Sequence, residues 1–152
     1  MVAAAVPAPG AAVVLRPPVE EPEGEKLPVH AGDRLVGSYY CTQGHTELAF
    51  IVEDTRSAGY DGVFVEVTFE LQFDGTSIGK PSAQGAAKMT GLLDPKTKKL
   101  RLHGDDWIEQ PPGYRLVDFV GTFGRGGVFS GRVDGPGCTT FTASPERSDA
   151  AP

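Results

Sequence analysis

The sequence predicts an all-β domain: about eight short antiparallel strands in a meander that closes into a small barrel, with a β-sandwich as the alternative. Three observations carry this reading. Val63, Val65, Val67, Phe69, Leu71 and Phe73 alternate with Glu66, Thr68, Glu70 and Gln72, a period of two that a helix would scatter around its axis. Turn formers are abundant, with 20 glycines and 13 prolines in 152 residues; Pro81, Pro95, Pro111, Pro112 and Pro136 fall between apolar runs, where a missing N–H costs no ladder bond. No stretch carries a 3.6-residue apolar stripe with helix caps. Closure is the economical arrangement because it removes unpaired strand edges.

Residues 1–33 stand apart as an extended arm. Pro7, Pro9, Pro17, Pro18, Pro22 and Pro28 prevent helix or central strand, and Glu20, Glu21, Glu23 and Glu25 make the segment acidic, which predicts a polyproline-like chain. Residues 34–143 form the barrel domain. Leu35 to Thr42 and Glu47 to Glu53 flank a hairpin at Gln43 to His45, and the strand Val63 to Phe73 lies between the turn dipeptides Asp61-Gly62 and Asp74-Gly75. Ala86 to Leu93 and Leu100 to His103 flank the Pro95 turn. Asp105 to Glu109 reads as a loop able to hold one helical turn. Tyr114 to Phe123 and Val128 to Val133 flank a glycine-rich turn, Cys138 to Ala143 closes the series, and residues 144–152 are a polar tail.

A net charge of −6 and a pI near 5.0 argue against a nucleic-acid partner, since such binding must neutralise several phosphates. The one basic cluster, Lys96, Lys98, Lys99 and Arg101, lies on a hairpin without interleaved aromatic residues and reads as a solvated turn. No apolar run reaches the roughly 20 residues of a spanning helix, and no collagen or coiled-coil repeat is present. No basic residue precedes the first apolar stretch, which Pro7 and Pro9 interrupt, so a secretory signal is not expected and a cytoplasmic or other intracellular location is.

Three motifs, Gly37-Ser38-Tyr39-Tyr40-Cys41-Thr42-Gln43-Gly44-His45-Thr46, Trp107 to Tyr114 and Gly137 to Phe141, together resemble a small all-β domain of uncharacterised function found in bacterial multidomain proteins and some microbial eukaryotes. The likeness spans about Gly37 to Ala143 and implies a β module, with no activity attached to it. In a closed meander the first and last strands are neighbours, so Cys41 and Cys138 can approach as a disulfide or as a pair of buried thiols. An intracellular location makes reduced thiols the expected state. Trp107, Pro111, Pro112 and Tyr114 are expected to cap one end of the barrel. The alternative is that Pro111 to Tyr114 matches a PPxY peptide ligand, which needs an accessible extended segment.

Catalytic chemistry is poorly signalled. His30, His45 and His103 are dispersed, and His103 with Asp105 and Asp106 completes no recognised metal set, so a solvated turn is the simpler reading. No nucleophile elbow, paired Cys-x-x-Cys or zinc-binding helix occurs, and the glycines from Gly121 to Gly127 precede a strand where a phosphate cradle needs a helix. No metal or cofactor is expected, and the chain reads as a non-enzyme. A hydrolytic barrel would need two facing carboxylates, for which Asp105, Asp106 and Glu109 are the only placeholders.

The leading expectation is a structural or interaction subunit of a larger protein assembly, the barrel serving as anchor and the arm as a clamp on neighbouring subunits. An arm of this composition cannot bury enough apolar surface to order itself, so a partner would supply the order, with Val13, Val14, Leu15, Pro17 and Pro18 as its contacts. The alternative is a small-ligand-binding barrel of lipocalin- or avidin-like shape, with Trp107, Tyr114, Phe69 and Phe73 lining its cavity.

Overall fold

In the computed structural model, which describes residues 27–59 and 62–146, the alternating runs become eight antiparallel strands that pair in sequence order and close into a barrel. They are β1 (Arg34–Cys41), β2 (Gly44–Gly59), β3 (Gly62–Phe73), β4 (Ala83–Asp94), β5 (Lys99–Glu109), β6 (Asp118–Phe123), β7 (Phe129–Asp134) and β8 (Thr140–Pro145). The seam is β1 on β8, from Leu35 opposite Pro145 to Tyr39 opposite Phe141. The proposed arm contacts Val13, Val14, Leu15, Pro17 and Pro18, residue Asp61 of one turn, and the end of the tail lie outside the described residues.

The period-two pattern works as elementary strand geometry requires: one face of each strand enters the core. Val65, Val67, Phe69, Leu71 and Phe73 are all buried, and their polar alternates face out. The centre is aromatic. Phe50 and Phe119 meet edge to face at 5.1 Å between ring centroids, and Phe119 meets Phe141 at 5.2 Å. Such pairs add to the apolar area they bury, and their bulk fills the middle of the barrel.

Residues 27–33, assigned from sequence to the arm, instead close one end of this core. Val29 is 1% exposed, and the chain is tied to β2 by Gly32 N–H to Val52 O (2.7 Å) and Val52 N–H to Asp33 O (2.9 Å). A single buried valine on a hydrogen-bonded turn outweighs the composition that set these residues with the prolines before them.

Three further expectations change. β5 continues as strand through Asp105 to Glu109, where a loop or helical turn was expected. Its register against β4 carries two irregularities: Met89 pairs with Gly104, Lys88 with Asp106, Ala87 with Trp107 and Ala86 with Glu109. Asp105 and Ile108 are thus extra residues, and the first bulge turns Trp107, in place of Asp106, toward the interior. Tyr114 precedes β6 without joining it, and Cys138 lies in the turn before β8.

Candidate functional site

β5 pairs with β6 only from Lys99 opposite Thr122 to Leu102 opposite Phe119, after which the two strands part. The barrel is therefore splayed at the end where β1, β3, β5 and β7 finish, and there a cavity of about 490 Å³ lies between the aromatic core and the 110–117 connection. Its floor is Tyr39, Phe69, Leu71 and Met89, and its walls include Trp107, Tyr114, Leu116, Val117, Cys41 and Cys138. Phe73, expected to line such a cavity, is buried in the wall and does not line it.

The rim is built from two Pro-Gly turns. Tyr114 N–H donates to Pro111 O (3.1 Å) and Cys138 N–H to Gly135 O (3.2 Å), with φ of +81° at Gly113 and +75° at Gly137. Proline at the second position and a left-handed glycine at the third are the signature of a type II turn. The 110–117 connection is seated on glycines: a methyl group at Gly85 would stand 2.6 Å from Cδ of Pro111, and one at Gly135 would stand 2.5 Å from Cγ1 of Val117. Glycine here permits close approach of the connection to the barrel wall.

The expected cap residues divide by burial. Pro111 is buried, Trp107 and Tyr114 are half-buried against the cavity, and Pro112 is exposed on the rim. The PPxY alternative fails on this geometry, because Pro111 to Tyr114 is a closed turn with one proline buried and the tyrosine turned inward, not an extended accessible segment.

Cys41 and Cys138 are joined in a disulfide, which corrects the expectation of reduced thiols. The physical reason is the seam. Thr139 N–H donates to Tyr40 O (2.9 Å), extending the β1–β8 contact to the residue before β8 begins and holding the Cys138 turn over the last residue of β1. Closure thus brings the sulfurs to bonding distance across 97 residues, whereas the reduced state rested only on the reading of compartment.

The cavity is chemically quiet. Burial pushes the Tyr39 hydroxyl far above its ordinary titration range, a neighbouring Tyr114 adds to this and a Gln43 hydrogen bond opposes it; burial also raises Tyr114. Both remain neutral O–H groups at ordinary pH. Gln43 donates from Nε2 to Thr46 Oγ1 (2.8 Å), and Thr46, with no exposed surface, donates to Gly44 O (3.2 Å).

Among the described residues, no carboxylate lines the cavity. Asp105 accepts from Thr90 Oγ1 (2.9 Å), Asp106 is exposed, and Glu109 lies with Glu47 and Glu70 along the outer wall. His103 pairs with Asp118 at 3.1 Å, apart from both neighbouring aspartates. The solvated turn expected at His103 to Asp106 is thus an outward strand face, and among the described residues no three His, Cys, Asp or Glu side chains gather as a metal set. Lys96 and Lys98 lie in the β4–β5 turn, with Lys99 and Arg101 at the start of β5, at the end of the barrel away from the cavity.

Sequence reasoning missed Met89, Leu116 and the two Pro-Gly turns as parts of one site. The Pro-Gly dipeptides were a legible turn signal; that both frame one opening was not. No protein-family model matches the chain, and no curated protein matches it. The resemblance of the three motifs to a small β domain therefore stands on those residues alone.

Proposed function

We propose that the protein is a non-enzymatic small-ligand-binding barrel, with the cavity under the 110–117 connection as its site. One observation carries the reading: a filled aromatic core gives way, at one splayed end, to a concave, largely apolar space lined by a few neutral polar groups and, among the described residues, one charged residue, Arg115. About 490 Å³ lies within the range of small-molecule sites, which are mostly apolar with few oriented polar groups. The disulfide and two Pro-Gly turns support a preformed opening, which reduces the ordering cost of binding. The disulfide also favours an oxidising compartment over the cytoplasm. No helix among the described residues is long and apolar enough to cross a membrane.

The test is titration with small apolar compounds, followed by the fluorescence of Trp107, the single tryptophan, and by the Met89 methyl resonance. Saturable shifts confined to cavity residues are expected. A panel of apolar and amphiphilic compounds at millimolar concentration that moves neither signal overturns the reading.

The assembly-subunit reading is kept as the second proposal, supported by the proline-rich composition before residue 27 and by where the chain enters the barrel. Val29 closes the end opposite the cavity, so a protein bound through the arm and a ligand in the cavity would not compete. Removing residues 1–26 should then abolish capture of the assembly while leaving ligand titration unchanged; unaltered incorporation of the shortened chain overturns it.

A further inference from the structure

Among the described residues, Arg115 is the only charged one lining the cavity. It is exposed at the rim, and among the described residues it has no hydrogen bond or ion pair. Four of the other described arginines are matched: Arg34 with Glu70 and Glu146, Arg56 with Asp54, Arg101 with Asp118 and Asp134, and Arg132 with Asp134; Arg125, which is likewise unpaired, lies in the β6–β7 turn and does not line the cavity. Asp118, only three residues from Arg115, is committed elsewhere: it accepts from Arg101, His103 and the Gly104 N–H. An exposed, unpaired arginine is thus the one charged residue, among those described, around a space whose other lining residues carry no charge.

This arrangement discriminates among ligands by charge. A cation would meet no carboxylate and one like charge. A molecule with two charges would have to bury one of them without a partner, which is costly. A molecule with one anionic end matches the fork of donors that arginine presents to a carboxylate, and its remainder meets apolar walls. Tyr39 and Tyr114, kept as neutral hydroxyls, add hydrogen-bond donors without adding charge.

Resting on the ligand-binding reading above, we propose that the cavity takes a small amphiphilic monoanion. Its hydrocarbon or ring body lies against Phe69, Leu71, Met89 and Trp107, and its anionic head meets the Arg115 guanidinium.

Octanoate, octanol and octylammonium share one chain and differ in charge, so they are the probes, read by the Trp107 and Met89 signals in the full-length protein. At low salt, octanoate is expected to bind about three- to tenfold more tightly than octanol, with octylammonium weakest, as suits a partly solvated ion pair. Raising the salt should erode only the octanoate advantage. Arg115→Gln should bring octanoate to the level of octanol, and Arg115→Lys should restore part of the difference; an exposed rim position makes both variants compatible with folding.

Equal binding of octanoate and octanol, unchanged in Arg115→Gln, overturns the monoanion while leaving the cavity reading intact. Tighter binding of octylammonium does the same. Silence of both signals with all three probes overturns the cavity reading and this inference with it.

Discussion

The Asp118 carboxylate accepts the Gly104 N–H at 3.2 Å, just beyond the Leu102–Phe119 pair that ends the β5–β6 ladder. A side chain takes over a donor that the neighbouring strand no longer serves, and the two strands can part without leaving that donor unsatisfied. The splay that makes room for the cavity is therefore stabilised by one carboxylate. Removing it in Asp118→Ala should cost about 1–3 kcal/mol, the usual penalty for leaving such a group unpaired. Urea unfolding checks this, and an unchanged midpoint would contradict the role.

Acid should weaken the same contact. Burial pushes the Asp118 carboxyl upward, but the Gly104 N–H, His103 and Arg101 together outweigh it and hold the group below its ordinary range. A folded-state pKa below the unfolded one contributes stability that is full above about pH 4 and is lost as pH falls through the lowered value. Asp118→Ala should flatten the acid limb of the stability profile. A remaining slope is expected from Asp74, lowered by the Thr76 hydroxyl and N–H, and Asp94, lowered by the Lys96 and Thr97 N–H groups. An identical acid limb in wild type and variant would refute the assignment.

Gly85→Ala should unseat the 110–117 connection. The added methyl would stand 2.6 Å from Pro111 Cδ and 2.7 Å from the Glu109 carbonyl oxygen, so the connection must lift or the wall must move. Overpacking of this kind costs about 1–3 kcal/mol. Trp107 emission should shift toward that of a solvated indole and proteolysis near residues 110–117 should quicken; an unshifted emission spectrum would argue against the seat.

The Cys41–Cys138 bond closes a loop of 97 residues, for which loop-closure entropy predicts about 4–5 kcal/mol of stabilisation. Unfolding with and without reductant should separate by that order. Alkylation of both thiols in the absence of reductant would show that the bridge is not formed.

Phe119→Ala should be among the most damaging single changes, at about 3–5 kcal/mol. Phe119 has no exposed surface and meets Tyr39, Phe50, Phe69 and Phe141 with centroids between 5.1 and 5.6 Å. A denaturation midpoint within experimental error of wild type would mean that the cluster is not the core.

By itself the sequence determined the class of fold. Alternation from Val63 to Phe73 is a local property that strand geometry converts directly into one buried face, and the prolines between runs mark where pairing must stop. Closure followed because eight such strands in order leave two edges that satisfy each other. What only the tertiary structure decided were the relations between distant residues: the parting of β5 from β6, the bulge that sends Trp107 inward, Pro111 on Gly85, Val29 in the core and the bond between Cys41 and Cys138. Each depends on register or on contact across the barrel, where a shift of one residue reverses the face a side chain presents. The two cysteines, the Pro-Gly turns and Arg115 were all visible along the chain, but closure alone makes them walls of one cavity.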